Sequence, residues 1–378
     1  MKNKIIIGII CFIIVLACCI GWYFLMWNKD LSFNREIVTS QKSDWKLHVL
    51  TSIDDEVLGD SMWCGTFQLV WNDMIREVVK QDVVFTPQLE IAENLNKQTF
   101  TIDQLSPSGY YVKFWLFTKS LKRIIEAWIK EKFNETSDVL DKINREKAPE
   151  NDDWYWDDYK EYLFYAMLKK VFNFEKEFDV LDKWNFDGKY KDIEYFWIDD
   201  DSSSELYSQV NVLYYNSDND FAVILETKEW EDVILERGTG GESFNEIYKN
   251  VIKKSEKYDW KQYFCGDDYL KVPKISINSF ISYDDFKDKY FFAADGGTCE
   301  IMEALQTIQF ELDEKWGSIK SEALIHMSRS NSISIDTPKK HEYRYFYFDK
   351  PYVMFLKEAD KDLPYFAAQI SDITLFQN

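Results

Sequence analysis

The amino terminus carries a run of 23 uncharged, mainly apolar residues from Ile5 to Trp27. A helix rises about 1.5 Å per residue, so a helix of this length spans the roughly 30 Å hydrocarbon core of a bilayer. Lys2 and Lys4 precede the run, as basic residues do in a signal sequence. The sequence therefore predicts one transmembrane helix, an uncleaved signal anchor that places the following domain outside the cell.

This run has two other possible interpretations. Val15–Cys18 is similar to a bacterial lipobox, in which the cysteine is lipidated after cleavage, but the apolar run continues nine residues past Cys18. A cytoplasmic domain is the other alternative, because basic residues also flank the far side of the run: Lys29, Arg35, Lys42 and Lys46. Long domains translocate largely regardless of such charges, so the anchor with an extracytoplasmic domain is preferred.

The remaining chain is strongly acidic. The whole sequence carries a net charge of −21, and its first 29 residues hold three lysines and no acid, which leaves −21 − 3 = −24 for the rest. Nucleic-acid binding requires clustered basic residues that neutralise phosphates, so nucleic acid is excluded as a partner. At 46% apolar residues, the 378-residue chain can fill a large core.

The residue types that usually carry catalysis or metal binding are scarce. Three cysteines lie in the apolar run, and Cys64, Cys265 and Cys299 form no disulfide framework. Only three histidines occur, without a zinc-binding motif. The glycine cluster at 238–241 lacks a P-loop pattern, and we expect it to form a turn before a helix capped by Ser243. The sequence therefore predicts no metal site, no cofactor and no enzymatic activity.

The chain divides into an anchor (1–28), a polar tether (29–44) and an ectodomain (45–378). Apolar residues spaced three to four apart predict one helix that begins near Phe67 and a second that runs through Leu121–Ile129 to about Asn134. Two more helices are expected near 242–256 and 283–289. Strand-like apolar runs follow at Tyr162–Lys170, Val210–Tyr215, Phe221–Leu225, Leu270–Ile277, Gln309–Leu312, Tyr345–Phe348 and Tyr352–Leu356. Strands outnumber helices, which favours an α+β fold with large, mostly antiparallel sheets and flanking helices.

The carboxyl-terminal third contains the most specific pattern in the chain. Within Phe346–Leu356, an apolar strand leads through Asp-Lys-Pro into a second apolar strand. Upstream, Phe310–Ser318 joins a strand end to an acidic pair and a glycine, and Val272–Lys274 and Phe174–Asp179 precede it. These motifs resemble those of the serpins, the serine protease inhibitor superfamily, over residues 120–378. The part before residue 120 is expected to be divergent or shortened.

The resemblance implies a function that depends on one loop. In serpins a target peptidase cleaves this loop, which then inserts into the central sheet as an added strand and traps the enzyme. Here the resemblance places the hinge at Glu314 and Gly317 and the reactive loop at Ser318 to about His341. The candidate scissile bond is Arg329–Ser330, which suits a trypsin-like peptidase.

The hinge carries charges that bear on this mechanism. By the period of two in a strand, Ser318, Lys320 and Glu322 share one face, which insertion would bury. An unpaired buried charge costs several kcal/mol, and a mutual Lys–Glu pair would reduce that cost without removing it. The hinge is thus expected to suit insertion poorly. Two hypotheses remain: a membrane-anchored inhibitor of an extracellular serine or cysteine peptidase, and a non-inhibitory serpin-like binding or structural module on the cell surface.

Overall fold

The computed structural model describes residues 47–140, 142, 160–323 and 343–377. All of them belong to the unit Ile37–Asn378. The predicted anchor (1–28) and tether (29–44) lie outside the described residues. Within the described ranges, no helix combines the length and the apolar character that crossing a bilayer requires.

Seven strands form the largest sheet: β1 (Leu47–Leu50), β2 (Asp60–Cys64), β7 (Val210–Ser217), β8 (Asp220–Glu226), β9 (Glu231–Arg237), β17 (Tyr352–Glu358) and β18 (Phe366–Ile370). Their order is β1-β2-β18-β17-β9-β8-β7, and only the β1–β2 pair is parallel. Every residue of the central strand β17 is buried, because neighbouring layers cover both of its faces.

A second sheet has four strands: β5 (Asp179–Phe186), β6 (Tyr190–Ile198), β10 (Asp268–Pro273) and β16 (Arg344–Tyr347). The order is β16-β10-β6-β5, with β16 and β10 parallel. The run Leu270–Ile277 was expected to be one strand, and this is wrong. The chain leaves the four-stranded sheet after Pro273 and enters a different sheet at Ile275.

That third sheet has five strands: β3 (Tyr110–Leu116), β4 (Tyr162–Asn173), β11 (Ile275–Ser282), β14 (Leu305–Leu312) and β15 (Trp316–Ala323). Every adjacent pair in its order, β11-β14-β15-β4-β3, is antiparallel. A separate hairpin consists of β12 (Tyr290–Phe292) and β13 (Thr298–Glu300). The predicted α+β fold with large, mostly antiparallel sheets is therefore confirmed.

The α-helices described are α1 (Thr66–Met74), α2 (Glu90–Asn96), α3 (Lys119–Phe133) and α4 (Phe244–Ser255). A π-helical turn, Ile75–Val79, continues α1, and 3-10 turns occur at Ile102–Gln104, Ser204–Gln209, Asp284–Phe286 and Ile373–Phe376. The helix expected near 283–289 is thus only a 3-10 turn. The expected start and end signals are confirmed elsewhere: Ser243 caps α4, and α3 ends at Asn134 in a left-handed conformation.

Helices cover both faces of the five-stranded sheet. All nine residues of α1 are buried, and Thr66 at its start contacts the sheet residue Ser321. On the opposite face, α3 packs its apolar stripe against β4, in a cluster that includes Leu121, Ile125, Ile129, Leu163, Tyr165 and Met167. Alternate residues of β4, such as Ala166 and Leu168, belong to the main core instead. The middle of this sheet is therefore shielded from water on both sides.

Candidate functional site

The predicted hinge forms a tight turn between β14 and β15. Asp313 closes the turn, since its Oδ1 accepts hydrogen bonds from the backbone N–H groups of Lys315 (2.8 Å) and Trp316 (3.0 Å). Glu314 forms an ion pair with Lys274 at 2.6 Å. Burial opposes the charge of Glu314, but the bond to Lys274 lowers its pKa. The hinge acids therefore fix the turn that directs the chain back into the sheet.

Gly317 lies where β15 packs directly against a buried ring of β4. A Cβ atom at this position would lie 2.4 Å from the ring of Phe172 and 3.2 Å from the carbonyl oxygen of Glu311. Phe172 is fully buried and pairs with Gly317 in the register of the sheet. A side chain at residue 317 would collide with the core, so glycine is required here.

The segment after the hinge is a complete strand of the sheet in the uncleaved chain. Residues of β15 pair with β14 from Gly317↔Leu312 to Glu322↔Thr307, and with β4 from Trp316↔Asn173 to Ala323↔Ala166. Because β14 and β4 both run antiparallel to β15, they are parallel to each other. Removing β15 would therefore leave two parallel strands separated by the width of one strand.

The two charged side chains of this strand are buried within a polar group that we call the charge cluster. Its members are Glu135, Ser137, Asp138, Tyr165, Lys320 and Glu322. Lys320 and Glu322 are only 3% and 0% exposed. They lie on the face of the sheet that α3 and the segment after it cover. The structure thus places Ser318, Lys320 and Glu322 on one buried face, as the period of two predicts.

Lys320 is paired with acids on several sides. Its Nζ lies 2.7 Å from Asp138 Oδ2, 3.5 Å from Glu322 Oε1 and 3.8 Å from Glu135 Oε2. It also donates a hydrogen bond to the carbonyl oxygen of Thr136 at 3.2 Å. Burial acts to lower the pKa of Lys320, but the acids raise it above its usual value. Lys320 therefore stays charged inside the fold.

Glu322 has its own hydrogen-bond donors. Its carboxylate accepts from Ser137 Oγ (2.7 Å), Tyr165 Oη (2.8 Å) and the backbone N–H of Asp138 (3.2 Å). Burial raises the pKa of Glu322, although Lys320 opposes that shift. Burial, and then the charge of Glu322, raise the pKa of Tyr165 well above its usual value, so Tyr165 remains a donor. Both charges of the strand thus have dedicated partners.

The partners of these two charges could not be seen in the sequence. Lys320 and Glu322 were expected to make insertion costly, because only a mutual pair was visible along the strand. In the structure the segment after α3 supplies further partners, and Tyr165 supplies one from β4. No sequence signal linked these residues to β15, because they are distant in the chain and meet only when the sheet forms.

The opposite face of β15 points into the main core. Ile319 is fully buried, and Ser321 Oγ shares a hydrogen bond of 2.8 Å with Thr66 Oγ1 and donates to the carbonyl oxygen of Thr307 at 2.9 Å. Ser318, on the same face as Lys320 and Glu322, is buried too, and its hydroxyl has no hydrogen-bond partner among the residues that the structure describes. The strand is therefore held on both faces as well as at both edges.

Other predicted positions lie apart from the charge cluster or outside the described ranges. Arg329 and Ser330 fall within 324–342, which is outside the described residues. Cys64 is a buried free thiol whose pKa burial raises, while Cys265 and Cys299 are free and half-buried. In the described ranges, no three His, Cys, Asp or Glu side chains are arranged to hold a metal ion.

Comparisons with known proteins place this chain beside the serpins, at low identity. No protein-family model and no curated protein matches it. Among similar solved structures are cleaved Serpin 42Da (10% identity, TM-score 0.39, 66% of this chain and 64% of that chain) and Serpin48 from the insect Tenebrio molitor (12%, 0.36, 72% and 78%). A loop C-sheet serpin polymer also matches, at 12% identity and a TM-score of 0.42, over 89% of this chain and 99% of that chain. This chain thus covers less than two thirds of the first of these structures.

Proposed function

We propose that this protein is a non-inhibitory serpin-like module in which β15 is a permanent strand of the five-stranded sheet. The observation that carries the proposal is the pairing of β15 with both β14 and β4 while the chain is continuous. Inhibition by insertion requires this strand to remain outside the sheet until a peptidase cuts the chain beyond it. A strand that already occupies the sheet cannot insert into it after cleavage.

The charges of β15 support a permanent position. To enter the sheet after cleavage, Lys320 and Glu322 would have to lose their water before they reached the charge cluster, at a cost of several kcal/mol per ion. This cost would slow insertion, and a slow inhibitor is hydrolysed and released as a substrate. If β15 instead enters the sheet during folding, Lys320 and Glu322 lose their water only once. The rate of that step does not then have to compete with hydrolysis by a peptidase.

A second candidate function is inhibition of an extracellular serine or cysteine peptidase. The observation that favours it is the set of partners for Lys320 and Glu322, because these partners would stabilise the product of an insertion just as they stabilise a permanent strand. In this case the connection from β15 to β16 would carry the bait, with Arg329–Ser330 as the scissile bond.

Limited proteolysis separates the two functions. The full chain is incubated with trypsin and with subtilisin, then analysed by SDS gel electrophoresis and by thermal unfolding. For a permanent strand we expect cleavage between residues 324 and 342, no SDS-stable complex and an unchanged melting temperature. A covalent complex together with a large rise in melting temperature would overturn this proposal in favour of inhibition. Arg329→Ala serves as the matched variant, since it should abolish only trypsin cleavage at that bond.

We also propose that residues 5–27 anchor the module in the cell membrane, with the module on the outer side. The support is the length and apolar character of the run in the sequence. The expected result is a full-length chain that remains in the membrane fraction after an alkaline wash and is digested by protease added to intact cells. Deletion of residues 1–28 should release the chain. A mature chain that begins at Cys18 and carries a lipid would contradict the uncleaved anchor.

A further inference from the structure

A cleft of about 490 Å³ opens beside β4, at the turn between β8 and β9 and the end of β17. Strand β4 contributes to the wall of the cleft and also pairs with β15. The side chains named for the charge cluster are not among those that line the cleft. Its lining residues include Lys170, Glu229, Trp230, Glu231, Glu358 and Asp360.

Two buried carboxylates meet the half-buried ammonium group of Lys170 in this cleft. Lys170 Nζ lies 2.6 Å from Glu231 Oε1 and 2.5 Å from Glu358 Oε1. The remaining oxygen of Glu231 accepts a hydrogen bond from Tyr365 Oη at 2.9 Å, and Glu358 accepts one from the backbone N–H of Ser106 at 2.7 Å. These bonds hold both carboxylates in fixed positions. With one cation for two anions, the group carries a net charge of −1.

More exposed acids increase this negative charge. Glu229 and Asp360 also line the cleft, and Glu229 is held by hydrogen bonds from the backbone N–H (2.6 Å) and side-chain amide (2.9 Å) of Asn173. Lys169 is the second lining cation, and it is bonded to Glu135 at 2.6 Å. Asp360 is paired with Lys361 at 3.1 Å, and with Lys361 and Glu135 included the five acids and three lysines carry −5 + 3 = −2. The cleft therefore favours a cationic ligand.

Trp230 lines this cleft from a strained backbone position. Its φ of 63° lies in the left-handed region, which bulky residues rarely adopt, and the residue is 78% exposed. Backbone bonds fix this conformation: Trp230 N–H donates to the Thr227 carbonyl (3.3 Å), and Ala359 N–H donates to the Trp230 carbonyl (2.8 Å). The large indole gains little burial there, so packing does not account for a tryptophan at a turn position that suits glycine.

We propose that this cleft binds the guanidinium group of an arginine side chain presented by a partner polypeptide. A planar cation can stack on the exposed face of Trp230 and at the same time donate two hydrogen bonds to a carboxylate such as Glu229. A lysine ammonium lacks the planar surface and the paired donors. The inference concerns a site separate from β15, and it holds whether or not the module inhibits a peptidase.

Isothermal titration calorimetry on the full chain in detergent micelles tests the ligand. The probes are acetyl-Gly-Arg-Gly-amide, the same peptide with citrulline in place of arginine, and free L-arginine. We expect the arginine peptide to bind at least tenfold more tightly than the citrulline peptide, which has the same shape without the charge. Free arginine has the same net charge as the blocked peptide but lacks its flanking peptide groups, so it should bind more weakly. Equal binding of the citrulline peptide, or tighter binding of free arginine, would overturn the proposal.

Two variants test the site itself. Trp230→Gly should weaken binding of the arginine peptide at least tenfold and at the same time raise the melting temperature, because glycine adopts a φ of 63° without strain. Glu229→Gln keeps an acceptor for Asn173 but removes the charge, and should weaken binding about fivefold. Trp128→Ala, at a tryptophan on α3 that is 52% exposed, is the control and should bind normally. Unchanged affinity in Trp230→Gly, or an equal loss in Trp128→Ala, would refute the assignment.

Discussion

Replacement of Lys320 by methionine should destabilise the protein strongly at neutral pH. Methionine retains the length of the side chain but removes the ammonium group that lies 2.7 Å from Asp138 and 3.5 Å from Glu322. Asp138 is 24% exposed and can recover some water, but Glu322 is fully buried. Removing one partner of a buried ion pair typically costs about 3–5 kcal/mol, and we expect about 3 kcal/mol because Ser137 and Tyr165 still donate to Glu322.

The loss of stability caused by Lys320→Met should become smaller as the pH falls. Without Lys320, burial raises the pKa of Glu322 further above its value in the unfolded chain, so the folded variant takes up a proton that the unfolded chain does not bind. Stability then increases as the pH falls through the folded pKa toward the unfolded value. The difference between Lys320→Met and the natural protein should accordingly be smaller at pH 5 than at pH 8.

Urea unfolding followed by tryptophan fluorescence measures this effect. Lys176→Met is the matched control, because Lys176 forms a fully exposed ion pair with Glu205 and its loss should leave the midpoint unchanged. Adding Glu322→Gln to Lys320→Met should recover part of the lost stability, since the single amide oxygen can accept from both Ser137 and Tyr165 without a buried charge. If Lys320→Met is as stable as the natural protein at every pH, Lys320 is not buried in the sheet and the placement of β15 is wrong.

Three further substitutions test other parts of the structure by the same unfolding assay. Gly317→Ala should cost about 1–3 kcal/mol, because its Cβ would lie 2.4 Å from the buried ring of Phe172; Gly240→Ala, with open space around it, should cost nothing comparable, and equal effects would contradict the packing. Burial raises the pKa of Glu236 to about 7, so the natural protein should lose stability between pH 5 and pH 7, and Glu236→Gln should flatten that slope; an unchanged slope would refute it. Arg344→Met leaves Asp268 buried without its bidentate partner and should cost about 3–5 kcal/mol, whereas a loss below about 1 kcal/mol would argue against a buried pair.

Local signals in the sequence predicted those parts of the fold that depend on neighbouring residues. The apolar stripe from Leu121 to Ile129 and the end signal at Asn134 predicted α3, and Ser243 predicted the start of α4. The strand β17 was predicted from its continuous apolar run. In each case the residues that determine the element lie within the element or next to it.

Strands whose hydrophobic pattern is interrupted by charged residues were not predicted from the sequence. β9 and β15 carry buried charged residues, such as Glu236, Lys320 and Glu322, and in a sequence these are typical of solvent-exposed segments. The charges of β15 become compatible with burial only through Asp138 and Tyr165, which approach from separate segments. Gly317, by contrast, was identified through the resemblance to the serpin hinge, although the contact with Phe172 that requires glycine could not be predicted.

Hydrogen exchange of the backbone amides of β15 in the intact chain tests the central claim most directly. Exchange is measured by mass spectrometry on peptides that cover residues 316–323, with peptides of β14 as the internal reference. If β15 is a permanent strand, its amides should be protected as strongly as those of β14, both before and after cleavage within 324–342. Rapid exchange in the intact chain, with protection that arises only after cleavage, would contradict the account and identify β15 as a strand that inserts.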